Sequence, residues 1–312
     1  MSNPGGKVDL SVKIGEIELS NPMMLASGTV GYGEELAELI DLNQLGGIVV
    51  KGLSMEPERG NTPQRIAEVP GGMLNSIGLQ NVGAEAFVRD KLPFLRQFDL
   101  KVIANAWGRT VDEYVGVVAR LDQAEGVHAI ELNVSCPNIK EGGISFGTDP
   151  VQIHTVTAAA RSATSKPLWV KLAPGVTDIG VMARAAEEAG ADALSVANTI
   201  RGMAVNVGRR RPLLATIYGG LSGPALFPIA LYLLYEVSLV SSLPLIGIGG
   251  VSELDHVLQY LIVGATAVQI GTANFYDPTA SQRLVDELER WCCDEEITSV
   301  HEVVGSLRLG ES

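Results

Sequence analysis

Short apolar segments recur along the 312-residue chain, and most of them precede a helical pattern. The segments are continuously apolar rather than alternating, which is typical of parallel strands covered on both faces. Eight such units in about 250 residues predict an α/β fold, the (βα)8 or TIM barrel. A doubly wound sheet is the alternative, but it usually has fewer units and a Gly-rich turn after its first strand. The eight segments are residues 22–25, 47–50, 101–104, 129–132, 167–170, 193–197, 244–248 and 267–270.

Two long insertions, residues 52–80 and 199–222, interrupt this pattern. We expect each to be a loop with a hairpin at the carboxyl-terminal face of the barrel. Residues 8–20 predict a small N-terminal β-hairpin that closes the opposite end. Because no low-complexity tract or composition change marks a boundary, residues 1–312 are predicted to form a single domain.

Charge and cysteine content argue against several classes of protein. A net charge of −13 disfavours a nucleic-acid partner. Cys136, Cys292 and Cys293 form neither a disulfide framework nor a metal-binding spacing, and they favour a reducing, cytoplasmic compartment. The amino terminus lacks the apolar segment of a signal peptide, and the most apolar stretch, Leu226 to Val240, is too short to span a bilayer. We therefore expect a soluble cytoplasmic protein with no metal site and no membrane partner.

Polar side chains fall at the predicted carboxyl ends of the strands, which face the active site in a barrel of this kind. Each has a simpler explanation alone, since Asn and Gly often form turns and a lone Cys is usually a small buried residue. Because all of them are expected at the same end of the barrel, a binding site there is favoured. Asn75 of the first insertion could fold over this site. The strand-end residues are Ser27, Lys51, Asn105, Asn133, Cys136, Lys171, Asn198, Thr199, Gly249, Gly250, Gly271 and Thr272.

The residue types at these positions indicate a chemistry. Several Asn amides suit a ring that bears both C=O and N–H groups, and two lysines suit an anion. Glycine-rich turns after the last two strands are where such barrels commonly bind phosphate. The pattern predicts a phosphorylated cofactor beside a small heterocyclic substrate. Cys136 could act as a base, with its pKa lowered by nearby lysines, or as a covalent nucleophile.

Nine segments between about residue 8 and residue 290 together resemble the dihydroorotate dehydrogenase family. The loop SCPN-x-K-x-GG-x-x-FGTDP resembles the class 1B branch of that family. Class 2 enzymes use a serine base and an N-terminal membrane-associating segment, and neither occurs here. In chain order the segments are NPMMLASGT, KGLSMEPERGNTPQR, PGGMLNSIGLQN, ELNVSCPN, KLAPGVTD, ANTIRGM, GGLSGPAL, GIGGV and GTANFYDP.

The resemblance implies an FMN-binding barrel that oxidises (S)-dihydroorotate to orotate in pyrimidine biosynthesis. Cys136 would be the general base for the C5 proton while the C6 hydride passes to flavin N5, and Lys171 would stabilise negative charge on the reduced ring. The implied substrate-binding residues are Lys51, Asn75, Ser76, Ile77, Gly78, Leu79, Asn133, Asn198 and Thr199. The implied cofactor-binding residues are Ser27, Lys51, Gly52, Asn105, Asn133, Lys171, Ala197, Gly223, Gly249, Gly250, Gly271 and Thr272.

Class 1B also implies a partner. Its members work with a second subunit that carries FAD and a 2Fe-2S cluster and passes electrons to NAD+, typically as homodimers within a heterotetramer. The cluster ligands are absent from this chain, which agrees with that division of labour.

Other interpretations remain open at this point. A dihydropyrimidine dehydrogenase-like flavoenzyme acts on uracil or thymine, which lack the substrate carboxylate. A tRNA dihydrouridine synthase fits poorly with the acidic charge and the lack of a basic appended domain. A non-catalytic scaffold would not need a thiol and two lysines at one opening. The electron acceptor could be NAD+, fumarate or another oxidant.

Overall fold

Eight parallel strands close into a barrel in the computed structural model, which describes residues 8–135, 137–138 and 144–310. Each strand pairs with the next one along the chain, and the last pairs with the first, with Gln269 opposite Met24. The predicted (βα)8 barrel is therefore confirmed. The strands are β1 (Met23–Leu25), β2 (Gly47–Val49), β3 (Lys101–Ala106), β4 (Ala129–Asn133), β5 (Leu168–Lys171), β6 (Ala193–Val196), β7 (Leu245–Ile248) and β8 (Ala265–Ile270).

Helices cover the outside of the barrel, and α3 to α7 each follow the strand of the same number. The first unit differs from the prediction, because only the 3-10 turns Leu36–Glu38 and Leu42–Gln44 follow β1 within the fully described residues 26–46. A π-helical turn, Phe87–Lys91, joins α1 to α2. The helices are α1 (Ala84–Ala86), α2 (Leu92–Leu95), α3 (Val111–Asp122), α4 (Pro150–Arg161), α5 (Ile179–Glu188), α6 (Phe227–Ser238), α7 (Leu254–Val263), α8 (Ala273–Tyr276) and α9 (Ala280–Asp294).

Helix α3 shows how the sequence sets these elements. The Thr110 hydroxyl accepts a hydrogen bond from the Glu113 backbone N–H at 3.2 Å, which caps the first turn. Tyr114, Val118 and Leu121 lie on the inner face and are fully buried. This spacing of three and four residues places one apolar stripe against the barrel, as the amphipathic pattern predicts.

The strands are buried on both faces. Met23, Met24 and Leu25 of β1 have no exposed surface, and neither do Trp169 and Val170 of β5. Burying side chains of this size contributes roughly 1.5–3 kcal/mol each relative to leaving them in water. The absence of polar alternation in these segments follows from this double coverage.

The two insertions form one structure rather than two separate hairpins. Strands 66–69 and 72–75 of the first insertion pair antiparallel, as do strands 200–202 and 219–222 of the second. Pairing of Gly220 with Asn75 then joins the two hairpins into a single four-stranded sheet over the mouth of the barrel. Residues distant in the chain are thereby held side by side above the site.

The remaining strands are short antiparallel pairs. The predicted N-terminal hairpin comprises Val12–Ile14 and Ile17–Leu19. Its Leu19 lies against Gly46, the residue before β2, so the hairpin covers the amino end of the barrel. The other two pairs are Pro137–Asn138 with Ile144–Ser145, and Val205–Asn206 with Arg211–Pro212. Among the described residues, no helix has the length and apolar character needed to cross a membrane.

Candidate active site

A cavity of about 1140 Å³ opens at the carboxyl ends of the barrel strands, beneath the four-stranded sheet. Every predicted site residue that the structure describes lines this cavity. Cys136, the predicted base, lies outside the described residues, although the preceding residue, Ser135, is in the lining. The predicted residues in the lining are Ser27, Lys51, Gly52, Asn75, Ser76, Ile77, Gly78, Leu79, Asn105, Asn133, Lys171, Ala197, Asn198, Thr199, Gly223, Gly249, Gly250, Gly271 and Thr272.

Lys171 ends β5 and extends into the barrel mouth, where its residue is only 5% exposed. Its Nζ donates a 3.2 Å hydrogen bond to the Ser27 hydroxyl, which follows β1 on the opposite side of the barrel. Burial lowers the pKa of Lys171, and the negative charge of Glu131 acts in the opposite direction. The hydrogen bond to Ser27 therefore holds the Lys171 amino group in the cavity.

Lys51 follows β2 and is a second cation in the same cavity. Its backbone N–H donates to the Gly31 carbonyl at 2.9 Å, which fixes the start of the loop. Burial lowers the pKa of Lys51, and the like charges of Lys171 and Arg65 lower it further. Its Nζ makes no hydrogen bond or ion pair with the residues that the structure describes. An anionic ligand would relieve this repulsion, so the position favours a carboxylate.

Asn133 and Asn198 form a linked pair at the ends of β4 and β6. The Asn198 amide donates to Asn133 Oδ1 at 3.2 Å, and the Tyr114 hydroxyl donates to the Asn133 carbonyl at 2.7 Å. Asn198 Oδ1 in turn accepts from the Thr199 backbone N–H at 2.8 Å. These bonds orient both side chains and leave the Asn133 Nδ2 group without a partner among the described residues, so it can donate to a ligand.

The segment from Asn75 to Leu79 reaches the cavity from the four-stranded sheet. Asn75 Nδ2 donates to the Gly220 carbonyl at 3.3 Å, so both insertions hold this side chain. Asn61 fixes the next residues, because its backbone N–H donates to the Ile77 carbonyl and its amide to the Ser76 carbonyl, each at 2.9 Å. The first three residues of the segment are thus held above the barrel mouth.

The turn after β7 contains Gly249 and Gly250, with φ values of 129° and 73°. A Cβ atom on Gly250 would lie 2.7 Å from the Phe227 backbone nitrogen, so only glycine fits there. The Tyr260 hydroxyl donates to the Gly249 carbonyl at 3.0 Å. This close packing brings the backbone of the turn to the cavity, in the position where we predict a phosphate group.

A buried polar cluster lies inside the barrel, and sequence analysis did not select it. Glu131 of β4 is completely buried, and its carboxylate accepts hydrogen bonds from Asn105 Nδ2 at 2.7 Å, Ser195 Oγ at 2.7 Å and Gln269 Nε2 at 2.8 Å. The sequence did contain an indication of this cluster, which is the glutamate within the apolar segment 129–132. If that strand is buried, the carboxylate must have polar partners.

Several buried polar atoms around the cavity have no hydrogen-bond partner among the residues that the structure describes. They belong to residues that line it: Ser76 Oγ, Asn105 Oδ1, Trp107 Nε1, Ser135 Oγ and Gln269 Oε1. Buried polar groups are rarely left unpaired, so these atoms indicate a ligand with both donors and acceptors. The cavity also contains further residues that sequence analysis missed, including Trp107, Arg109, Arg201, Tyr218, Gln269, Phe275 and Tyr276.

The fold and the cavity together define a (βα)8 barrel with an amide-lined cavity, which contains two lysines, at the carboxyl ends of its strands. Comparison with known proteins identifies the family. The family model for dihydroorotate dehydrogenase matches residues 9–291, and the chain therefore belongs to the dihydroorotate dehydrogenase family. Enzymes of this family depend on a flavin.

Similar curated proteins share the name dihydroorotate dehydrogenase B (NAD(+)), catalytic subunit. The protein of Geobacter sp. (strain M21) is 52% identical over 301 residues, which cover 96% of this chain and 99% of the relative. The protein of Citrifermentans bemidjiense is 51% identical over the same coverage. That of Geobacter sulfurreducens is 52% identical over 303 residues, with 97% and 99% covered. The resemblance to class 1B is confirmed.

Proposed function

We propose that the chain is the catalytic subunit of a class 1B dihydroorotate dehydrogenase. It oxidises (S)-dihydroorotate to orotate in de novo pyrimidine (UMP) biosynthesis. The observation that carries this proposal is Lys51, a partly buried cation whose near neighbours among the described charges are the cations Lys171 and Arg65. It lies in one cavity with Asn75, Asn133 and Asn198, so the site suits a small ring that carries a carboxylate.

The flavin is FMN, which when bound would accept a hydride from the substrate. The donors and acceptors fit an isoalloxazine ring, because Asn105, Gln269 and Ser135 bring to the cavity buried polar atoms that no described residue pairs with. The absence of a side chain at Gly52 also leaves room beside the ring site, since a Cβ there would lie 2.8 Å from Asn105 Oδ1. Ser27, Ala197, Gly223, Gly249, Gly250, Gly271 and Thr272 complete the cofactor site.

The substrate lies against residues from both the barrel and the covering sheet. Lys51 binds its carboxylate through a charge-assisted hydrogen bond. The amides of Asn75, Asn133 and Asn198 hold the ring carbonyl and N–H groups, because each amide offers a donor and an acceptor. Ser76, Ile77, Gly78, Leu79 and Thr199 enclose the remaining edge of the ring.

Proton removal is the task of Cys136. Its thiolate takes the C5 proton as the C6 hydride leaves, so the substrate loses H+ and H− and gains the ring double bond. Lys51, Lys171 and Ser135, the residue before Cys136, line the same cavity, and positive charge close to a thiol favours its thiolate form. With FMN bound, Lys171 would stabilise negative charge on the reduced ring, because its amino group is buried and held by Ser27.

The electrons leave through a partner subunit. The names of the relatives describe NAD+-linked catalytic subunits, which supports an assembly of the same kind here. In this assembly a second subunit with FAD and a 2Fe-2S cluster passes electrons to NAD+. We propose a homodimer of the present chain within a heterotetramer, acting in the cytoplasm.

Anaerobic reduction of the bound flavin by two substrates tests the proposal. Dihydroorotate and dihydrouracil share the ring, but only dihydroorotate carries the carboxylate. We expect dihydroorotate to be preferred by about 10- to 150-fold in the second-order rate constant, as the loss of one charged hydrogen bond predicts. Equal rates, or faster reduction by dihydrouracil, would favour a dihydropyrimidine dehydrogenase-like activity instead.

A further inference from the structure

The carboxylate of Glu131 lies at the centre of a hydrogen-bond network that joins three other strands. Oε1 accepts from Asn105 Nδ2 of β3, and Oε2 accepts from Ser195 Oγ of β6 and Gln269 Nε2 of β8. Glu131 does not itself line the cavity, whereas Asn105 and Gln269 do. The network therefore connects a buried charge to two side chains that can touch a ligand.

The carboxylate fixes the orientation of both amides. An ionised carboxylate only accepts hydrogen bonds, so Asn105 and Gln269 must each turn an NH2 group towards it. Their carbonyl oxygens then point away from Glu131, and both oxygens are buried without a partner in the described part of the chain. Since an unpaired buried acceptor is unfavourable, each oxygen is suited to a ligand N–H group.

We propose that Glu131 is a positioning residue that makes the barrel side of the cavity select a ring with an N–H donor. The inference rests on the proposed function, in which the ring is that of FMN and the donor is its N3–H group. Replacement of the carboxylate by an amide would allow Asn105 and Gln269 to invert. An inverted amide presents NH2 to the ring and no longer favours N3–H over an N-alkylated ring.

Binding of FMN and of its N3-methyl derivative to the apoprotein tests this directly. The dissociation constants are measured by flavin fluorescence for the wild-type protein and for Glu131→Gln. We expect the wild type to prefer FMN by about tenfold or more, as the loss of one buried hydrogen bond predicts, and the ratio to fall towards one in the variant. The same ratio in both proteins would overturn the proposal.

Ser195→Ala is the matched control, because it removes a donor to the same carboxylate but leaves both amides in place. We expect it to keep the wild-type preference for FMN. A loss of preference as large as that of Glu131→Gln would show general disruption of the cluster and would contradict the positioning role.

If Glu131→Gln does not fold, Asn105→Leu and Gln269→Met each remove one cavity acceptor without changing Glu131. At least one of them should lose the preference for FMN, and retention in both would overturn the inference. The wild-type protein could be reduced by dihydroorotate and yet show the same flavin preference as Glu131→Gln. That result would contradict the inference about Glu131 but not the proposed function. If the wild-type protein binds neither flavin, the proposed function is contradicted as well.

Discussion

The ammonium of Lys171 is joined to the hydroxyl of Ser27 by a 3.2 Å hydrogen bond that crosses the mouth of the barrel. Lys171 ends β5 and Ser27 follows β1, and these two strands lie on opposite sides of the closed barrel. Burial lowers the pKa of Lys171, whereas the negative charge of Glu131, inside the same barrel, acts in the opposite direction. This cation, with Lys51 beside it, sets the electrostatic character of the site.

Replacement of Lys51 by alanine should raise the KM for dihydroorotate sharply. The variant loses a charged hydrogen bond to the substrate carboxylate, worth roughly 1.5–3 kcal/mol, which corresponds to about 10- to 150-fold in KM. Steady-state kinetics with a dye acceptor measure the effect. Lys13→Ala is the control, because it removes the same charge from an exposed lysine far from the cavity. An unchanged KM in Lys51→Ala would rule out this role for Lys51.

The KM for dihydroorotate should rise with pH in the alkaline range. Burial and the neighbouring cations lower the pKa of Lys51 from its usual 10.5, so its ammonium loses a proton at a lower pH than a free lysine. Carboxylate binding needs the charged form and weakens as pH rises through this pKa. A pH series of KM should show the rise below pH 10.5 in the wild type and no such rise in Lys51→Ala. Parallel profiles for the two proteins would contradict this assignment.

Cys136→Ala should retain its flavin but lose turnover. A general base contributes about 10²- to 10⁴-fold to rate, so flavin reduction by dihydroorotate should slow by a comparable factor. Stopped-flow absorbance under anaerobic conditions measures this half-reaction. Cys293→Ala is the control, because Cys293 is exposed on α9. The flavin of this variant should be reduced at the wild-type rate. Fast reduction in Cys136→Ala would show that another group takes the proton.

Gly250→Ala should destabilise the protein and weaken FMN binding. A Cβ at this position would meet the Phe227 backbone nitrogen at 2.7 Å, and φ is 73°. Gly305→Ala is a matched control, because φ is 70° there but no atom lies within 4 Å of the added Cβ. Urea unfolding measures the free energy of unfolding of each variant. We expect this free energy to fall further in Gly250→Ala than in Gly305→Ala, by about 1–3 kcal/mol. Equal decreases in the free energy of unfolding would show that the backbone around Phe227 makes room for the added Cβ without cost, which would contradict the prediction.

The sequence identified the strand-end residues because barrel geometry makes their position predictable. Once the apolar segments are read as parallel strands, Lys51, Asn133 and Lys171 must face one opening. All three line the cavity. The direction in which each strand runs is enough to place these residues, without any side-chain contact.

Other features could not be predicted in the same way. Pairing of Asn75 with Gly220 joins segments that are 145 residues apart, and no local pattern encodes such a partner. Glu131 was not predicted as a site residue, because the segment 129–132 was interpreted as a uniformly apolar strand. Its partners come from β3, β6 and β8, so the network exists only when the barrel closes.

The visible spectrum of the purified chain before and after anaerobic addition of dihydroorotate tests the central claim most directly. We predict a yellow protein whose flavin absorbance bleaches when dihydroorotate is added, because the cofactor, the substrate site and the base act in one half-reaction. A yellow protein that stays oxidised would contradict the substrate assignment. A protein that remains colourless even after incubation with FMN would contradict the flavoenzyme function itself.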